Sequence, residues 1–402
     1  MNMSRLDALV CEQEGVDRLD RKTIEGIQLK KLNRLLERER LRGGFYRDAA
    51  ERLRTLDGLA DLPFTTDEDL ARYSGGLLLT SQSAVQRVIS DATSGTTGES
   101  KRVFYTENDL ENTVRLYMAG LGELIFPGGV TLIFFPFSGP FGLGELIAEA
   151  VTRLGAKPLR AGSSLSYGEM AALMESEKPD TFVGMPVQLL SLLRVCGRGS
   201  LRRALVSGDA CPPSVIAACE TLLGTRLFPH YGSREMGMAG AVTCPAHEGM
   251  HLRENMVIAE IVDGEGRRLP DGETGELVIT TIGMEALPLI RYRTGDYTRI
   301  LPEPCPCGCS LLRLDGVRRG GEEGRMAELD DALFSIGELV DLRAVRRDGK
   351  LVLDVLCAPG AEEDALREGI LACLPEAAQL TIRPVTAEDR ALYPGKRRIE
   401  NE

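Results

Sequence analysis

The stretch DATSGTTGESKRVFYT, residues 91–106, decides how this 402-residue chain is interpreted. It packs hydroxyl residues and glycines into an unbroken run, and a lysine follows shortly after: Thr93, Ser94, Gly95, Thr96, Thr97, Gly98 and then Lys101. Such a run adds little to a hydrophobic core and costs backbone entropy when it is ordered. Backbone N–H groups and hydroxyls beside a lysine can instead cradle phosphate oxygens. The stretch therefore predicts a phosphate-binding loop, with a flexible surface turn as the alternative.

Two common nucleotide motifs do not occur in the sequence. It contains neither GxxxxGK[ST], the motif of P-loop enzymes, nor GxGxxG, the motif of dinucleotide-binding folds. Both classes are therefore disfavoured.

Length and composition describe a globular protein with more than one domain. The net charge of -12 argues against nucleic acid or an anionic membrane as the main partner. No apolar run approaches the ~20 residues of a membrane helix, and the N-terminal residues lack the apolar segment of a signal peptide. These features predict a cytoplasmic protein, in which the ten cysteines are not a disulfide framework.

Between residues 103 and 240, short apolar runs alternate with helical patterns. This alternation predicts a parallel sheet with helices on its faces. The predicted strands lie in residues 130–137, 178–185, 202–208 and 225–232, and the predicted crossover helices in residues 141–155, 186–197 and 213–224.

The flanking regions predict other kinds of structure. Residues 22–57 carry apolar positions at helical spacing among dense charge, which is typical of surface helices. Residues 251–282 alternate apolar and polar side chains between glycine and aspartate turns, as β-hairpins do. Residues 316–325 read as a glycine-rich, charged linker, and a helix–strand–helix–strand unit follows it.

The predicted fold class is therefore α/β. A large N-terminal domain, residues 1–317, would contain helix-flanked parallel sheets and a β-rich subdomain. A small α+β domain, residues 318–402, would follow.

Further segments, in order along the chain, resemble those of one family. With the glycine–hydroxyl loop, they are similar to the motifs of the adenylate-forming superfamily, which includes acyl-CoA synthetases, peptide-synthetase adenylation domains and luciferases. The chain most resembles the phenylacetate-CoA ligase branch. The segments are LPFTTDEDL (62–70), SGDA (207–210), YGSRE (231–235), LPLIRYRTGD (287–296) and PGKRRIEN (394–401).

This resemblance implies an acid–thiol ligase, AMP-forming, whose substrates are a small carboxylic acid, ATP and CoA. The enzyme would activate an aryl or acyl acid to an acyl-adenylate and then transfer the acyl group to CoA as a thioester. Two alternatives stay open: transfer to a carrier protein or another non-CoA acceptor, and a catalytically silent nucleotide-binding module. The oligomeric state also stays open, a homodimer included.

The resemblance further implies roles for residues near the phosphates. The loop hydroxyls and Lys101 would hold the β- and γ-phosphates, and Glu235 would bind Mg²⁺, which prefers carboxylate oxygens. Lys396 would be the family's mobile lysine, which bridges the carboxylate and the α-phosphate during adenylation only, on a small domain that rotates between the two half-reactions. Catalytic roles would thus fall to Lys396, Glu235 and Lys101.

The nucleoside would be held by other motif residues. Asp296 would accept hydrogen bonds from the ribose, and Tyr231 would stack near the adenine. Arg318 would contact AMP, with Arg319 as the alternative, although GVRRGGEEG lacks the acidic hinge pair usual in the branch. The remaining nucleotide-binding residues implied by the motifs are Gly208, Asp209, Ala210, Gly232 and Ser233.

Cysteine and histidine residues gather in two turn segments about 55 residues apart on the chain, TCPAHEGMH and PCPCGCS. Thiolates and imidazoles in paired turns suit a tetrahedral, structural Zn²⁺ site. The preferred ligands are Cys244, His251, Cys305 and Cys307, with His247 and Cys309 as substitutes. The alternative is a set of buried reduced thiols.

An apolar slot for the acid is predicted in the loops FFPFSGPFGLG (134–144) and VGMPVQ (183–188). Its candidate lining residues are Phe135, Phe137, Phe141 and Met185. Ordinary core packing is the alternative for each of them.

Overall fold

The computed structural model of the chain describes residues 3–49, 52–92 and 100–402. The described helices are α1 Arg5–Glu14, α2 Arg21–Arg42, α3 Asp67–Leu77, α4 Glu107–Leu121, α5 Leu143–Arg153, α6 Tyr167–Glu177, α7 Pro186–Cys196, α8 Pro213–Leu223, α9 Gly321–Leu333 and α10 Glu363–Cys373. The described strands are β1 Val85–Ala92, β2 Ser100–Thr106, β3 Val130–Phe134, β4 Lys157–Arg160, β5 Thr181–Gly184, β6 Arg203–Val206, β7 Phe228–Tyr231, β8 Ala241–Thr243, β9 Met250–Leu252, β10 Val257–Val262, β11 Gly275–Thr281, β12 Tyr292–Thr298, β13 Ile300–Leu301, β14 Arg313–Leu314, β15 Arg318–Arg319, β16 Leu339–Arg347, β17 Lys350–Cys357, β18 Ala377–Pro384 and β19 Glu400–Asn401.

The chain forms two compact units. The first contains Met1–Glu123 and His230–Val317, and the second contains Leu124–Pro229 and Arg318–Glu402. One limit of the second unit coincides with the predicted boundary after residue 317. The division into domains 1–317 and 318–402 stays a prediction.

The first unit combines antiparallel strands with the N-terminal helices. β1 pairs with β2, and β10, β11 and β12 form a meander. β8, β9, β14 and β13 pair in that order, also antiparallel. The predicted hairpins after residue 250 are thereby confirmed.

The helix predicted from residue 22 ends earlier than the sequence pattern suggested. α2 stops at Arg42, because Gly43 adopts a left-handed conformation (φ 66°) that caps the helix and donates to carbonyls of its last turn. Among the described residues after Arg42, the rest of the predicted segment contains no α-helix, and a short 3₁₀ turn, Leu56–Asp61, begins near its end.

The second unit contains the predicted parallel sheet. β7, β6, β5, β3 and β4 lie side by side and parallel, and α5, α7 and α8 are the predicted helices. The structure adds β4 and α6, which the sequence pattern did not indicate, because β4 is short and its sequence, KPLR, is mostly polar. The predicted α/β class is confirmed.

The C-terminal part of the second unit contains three strands that were not predicted, β15, β16 and β19. β16 lies between β17 and β19 and carries Asp341, Arg343 and Arg347 among its apolar residues, which hid its strand pattern. Its residues Leu342 and Ala344 join Leu189 and Leu193 of α7 in a single buried cluster. Burial of apolar surface therefore ties the C-terminal residues to residues 124–229.

Candidate nucleotide site and metal centre

The predicted phosphate loop lies outside the described residues. This applies to Thr93, Ser94, Gly95, Thr96, Thr97 and Gly98, which keep their roles as predictions. The strands on either side are described: β1 and β2 pair in register from Val85 and Thr106 to Ala92 and Ser100, with one irregularity.

Lys101 lies just beyond this loop and contacts three oxygen-bearing side chains of the first unit. Its Nζ is 2.6 Å from Glu235 Oε1 and 2.5 Å from Asp67 Oδ1. It also donates to the Tyr292 hydroxyl, at 2.7 Å. The Lys101 side chain is only 14% exposed. The lysine predicted to bind phosphate and the carboxylate predicted to bind Mg²⁺ therefore form an ion pair in this structure.

Both partners of this pair are charged at neutral pH. Burial opposes ionisation of Glu235, but the charge and hydrogen bond of Lys101 outweigh it and lower the pKa of Glu235 to about 2. Burial likewise opposes protonation of Lys101, and the two carboxylates outweigh it and raise the pKa of Lys101. Each charge thus stabilises the other.

Asp67 and Tyr292 are site residues that the sequence interpretation missed. Tyr292 donates a very short hydrogen bond to Asp67, and both contact Lys101. Asp67 is the first residue of α3, where the Thr66 hydroxyl and the Asp69 carboxylate form a capping box that fixes the helix start. Asp67 lies in the motif segment 62–70 and Tyr292 in the motif segment 287–296. Their place in these segments was the one sign in the sequence that they belong to the site.

Tyr231 and Asp296, predicted for the adenine and the ribose, meet in the same unit. The Tyr231 hydroxyl donates to Asp296 Oδ2 at 2.6 Å, and Asp296 is buried. Ser233 precedes the 3₁₀ turn that carries Glu235. Gly232 has no room for a side chain, because a Cβ there would lie 2.9 Å from Ala239 Cα.

In the second unit, Gly208 follows β6 with a φ of +83°. A Cβ at this position would lie 2.7 Å from Phe135 Cε1 and 3.7 Å from Met185 Cγ. Gly208 and two of the predicted pocket residues therefore converge. Phe135 and Met185 are themselves buried, as core packing also requires.

The other two phenylalanines predicted for the pocket occupy different environments. The Phe137 ring packs beside Gly144, where a Cβ would lie 3.0 Å from the ring. Phe141 is 38% exposed and has a φ of +66°, which is strained for a residue of this type. The pocket role of all four residues stays a prediction.

The remaining predicted nucleotide residues also lie in the second unit. Asp209 Oδ1 accepts a hydrogen bond from the Ala210 N–H at 2.9 Å. Arg318, in β15, is exposed, and Arg319 pairs with Glu323 at 3.2 Å. Lys396 is exposed in the segment before β19.

The four preferred metal ligands form one cluster in the first unit. Cys244 Sγ is 3.6 Å from Cys305 Sγ, and Cys307 Sγ is 3.3 Å from His251 Nε2. The ligand atoms of all four residues lie within 4.8 Å of one another. With Zn–S bonds of about 2.3 Å and Zn–N bonds of about 2.0 Å, tetrahedral edges are roughly 3.5–3.8 Å, so the donor set fits zinc.

Neighbouring groups orient this cluster. His251 Nδ1 lies 3.1 Å from the Leu311 carbonyl, so it carries the proton and leaves Nε2 as the ligand atom. Hydrogen bonding from Cys309 lowers the pKa of Cys307 to about 4, which favours its thiolate. The substitute ligand Cys309 instead donates to Asp7 Oδ1 at 3.2 Å, and His247 lies outside the cluster.

Comparison with known proteins agrees with these features. The family model described as "AMP-binding enzyme" matches residues 91–285. A phenylacetate-coenzyme A ligase of Thermus thermophilus is 28% identical, covering 84% of this chain and 82% of the relative. A phenylacetate-coenzyme A ligase of Escherichia coli is 33% identical, covering 62% of this chain, and the match spans only 59% of the relative.

A solved structure shows the same fold. A 2-hydroxyisobutyryl-CoA ligase in the postadenylation state, in complex with 2-HIB-AMP, matches with a TM-score of 0.77 at 19% identity, covering 96% of this chain and 90% of that one. The family match and the phenylacetate-coenzyme A ligases among the relatives support the adenylate-forming superfamily, in its phenylacetate-CoA ligase-like branch.

Among the described residues, no helix is both long enough and apolar enough to span a bilayer.

Proposed function

We propose that this protein is an AMP-forming acid–thiol ligase that activates a carboxylic acid with ATP and transfers the acyl group to CoA. The observation that carries the proposal is the buried Lys101–Glu235 ion pair, which is contacted by residues from two other family motifs. Burial and the carboxylates of Glu235, Asp67 and Asp296 all raise the pKa of Tyr292, so these groups are close neighbours. The CoA ligases among the relatives support the same activity.

In the first half-reaction, an oxygen of the substrate carboxylate forms a bond to the α-phosphorus of ATP. The bond from that phosphorus to the bridging oxygen breaks, and pyrophosphate leaves with the electron pair. Two anions must approach each other, so positioning and charge neutralisation account for most of the catalysis. Lys101 and the loop residues would neutralise the β- and γ-phosphates, and Lys396 would bridge the two reacting groups.

In the second half-reaction, the CoA thiolate attacks the acyl carbon and AMP leaves. The altered hinge segment GVRRGGEEG favours a second candidate, in which a carrier protein or another acceptor replaces CoA. The apolar Phe135 and Met185 beside Gly208 support an aryl or medium acyl acid as the substrate.

Glu235 would hold Mg²⁺, because its carboxylate is ionised at neutral pH and a hard cation prefers such oxygens. The ion would supply positive charge at the phosphates. Asp296 and Tyr231 would orient the nucleoside, and Arg318 would contact AMP.

The cluster of Cys244, His251, Cys305 and Cys307 would bind one structural Zn²⁺. Four protein ligands fill a tetrahedral site, so no open position is left for catalysis. The ion would tie β9 to the turn before β14. Cytoplasmic location and a homodimer stay predictions.

The proposed activity is tested by pyrophosphate release from ATP and Mg²⁺ over a panel of aryl and aliphatic acids, with and without CoA. Release that depends on one acid supports adenylation and names the substrate. A thioester product separates the CoA ligase from the second candidate. ATP binding without release for every acid would favour the silent module.

A further inference from the structure

The segment that carries Lys396 alternates between exposed and buried side chains. Lys396 and Arg398 are exposed, whereas Arg397 and Ile399 are buried. The Arg397 side chain is thus directed into the interior, whereas the side chain of the neighbouring Lys396 is directed towards solvent.

Arg397 is held by two carboxylates from different elements of the second unit. Its guanidinium forms a bidentate pair with Asp330 of α9, with N–O distances of 2.8 and 2.9 Å. Nη1 donates to Asp341 Oδ1 of β16 at 2.8 Å, and Nη2 also donates to the Leu342 carbonyl at 2.9 Å. Burial opposes the charge, but the two carboxylates outweigh it and raise the pKa of Arg397.

The backbone of the same residue is fixed on its other side. The Arg397 N–H donates to Asp209 Oδ2 at 2.9 Å. Asp209 follows β6, in the segment SGDA that the family resemblance assigns to the nucleotide. Burial raises the pKa of Asp209, and the charges of Arg397 and Lys396 both act to lower it, so all three groups are close together.

The buried ion pair of Arg397 with Asp330 and Asp341 is not an efficient way to stabilise the fold. A buried ion pair loses hydration that its mutual attraction barely restores, and apolar residues of similar size are often as stable. What the planar guanidinium adds is a fixed direction, because its donors match carboxylates in only a few geometries.

We propose that Arg397 is a positioning residue, which through Asp330, Asp341 and Asp209 fixes the backbone that directs Lys396 towards the reacting carboxylate and α-phosphate. This inference rests on the proposed function, because Lys396 has its role only in adenylation. Arg397 would act through Lys396 and not by direct contact with a reacting atom. Its contribution is to hold the lysine in place for the first half-reaction and not for the second.

The experiment compares Arg397→Lys with the matched control Arg398→Lys, whose side chain is exposed. Displacement of a reacting group by about 1 Å can cost ~10²-fold in rate, so we expect Arg397→Lys to lower kcat for pyrophosphate release by roughly 10- to 100-fold. The KM for ATP should be nearly unchanged. In the Arg397→Lys variant, the second half-reaction, started from a chemically prepared acyl-adenylate, should keep the wild-type rate, whether the acceptor is CoA or the alternative acceptor. The control Arg398→Lys should behave as wild type in every assay.

A double-mutant cycle with Lys396→Ala separates positioning from a general structural role. If Arg397 acts through Lys396, adding Arg397→Lys to Lys396→Ala causes no further loss of adenylation. A further loss in the double variant, or equal losses in both half-reactions, would overturn the inference. If Arg397→Lys does not fold, Asp330→Asn provides a second variant, because it keeps the shape of the side chain that holds Arg397 and removes its charge. It should likewise slow pyrophosphate release and leave the second half-reaction at the wild-type rate.

The positioning role and the proposed function would be contradicted by different results. An active wild type together with a fully active Arg397→Lys variant overturns the positioning role alone. A wild type that releases no pyrophosphate with any acid overturns the proposed function and the positioning role with it.

Discussion

Two polar clusters of the first unit differ in how their charges are balanced. The Lys101–Glu235 pair contains both signs of charge, so each partner stabilises the ionised form of the other. The cluster of Cys244, His251, Cys305 and Cys307 contains ligand atoms but no positive side chain. The first cluster can therefore persist alone, and it would exchange partners on binding a phosphate. The second would need a cation to hold three thiolates together, because burial raises the pKa of Cys244 and of Cys305.

The largest effect is expected at the cluster that lacks an internal counter-charge. Cys305→Ser should abolish stoichiometric zinc and lower the free energy of unfolding by about 4 kcal/mol or more, because loss of a metal is among the few changes of that size. Metal analysis by plasma mass spectrometry and denaturant unfolding measure the two effects. The matched control is Cys373→Ser, an exposed cysteine outside the cluster. The metal assignment would be contradicted by a wild-type protein that contains no zinc and whose free energy of unfolding does not change when a chelator is added.

At the ion pair, the expected effect is on chemistry more than on folding. Glu235→Gln keeps the shape of the side chain but removes its charge, and it should lower the rate of pyrophosphate release by ~10²–10³-fold, the usual cost of losing one electrostatic contact in a transition state. Lys101 keeps Asp67 and Tyr292 as partners, so the variant should still fold. Glu273→Gln, on an exposed turn, is the control. A Glu235→Gln enzyme with a wild-type rate would remove Glu235 from the mechanism.

A third contrast concerns His230, a buried histidine that precedes Tyr231, the residue predicted to stack near the adenine. Burial lowers the pKa of His230 from 6.5 to about 4. Between pH 6.5 and pH 4, His230 binds a proton in the unfolded chain but stays neutral in the folded protein. The free energy of unfolding must therefore fall as the pH drops from 6.5 towards 4. A shift of this size corresponds to a loss on the order of 3 kcal/mol.

Urea unfolding between pH 7 and pH 4.5 measures this dependence. His230→Gln should flatten it, because the titrating group is gone. An equal slope in wild type and variant would mean that other groups, and not His230, cause the acid sensitivity.

The sequence predicted the motif residues to which the family resemblance assigns a role, and missed residues that hold them in place, even where these lie in the same segments. Lys101, Glu235 and Asp296 lie in recognisable segments, and the cysteine and histidine spacing predicted four side chains that the structure brings together. Asp7, Asp67 and Arg397 were missed, because their partners are distant in the chain and come together only in three dimensions. In the same way, β16 was missed because buried Asp341 interrupts its apolar pattern, and that residue is needed to hold Arg397.

The smallest expected effect comes from a residue that orients the metal cluster without binding the ion. Asp7 of α1 accepts hydrogen bonds from the Cys309 thiol and from the Ser310 N–H, and so holds the turn that carries Cys305 and Cys307. Asp7→Asn should weaken zinc affinity by about 10- to 100-fold, as is typical for outer partners of metal ligands. Competition with a chromophoric chelator measures it, with Glu12→Gln on the same helix as the control.

Since Lys101 and Glu235 have other partners, adenylation by the zinc-loaded Asp7→Asn variant should stay at the wild-type rate. A parallel loss of zinc affinity and adenylation would show that the two clusters are coupled, contrary to the independence that their separate charge balance predicts.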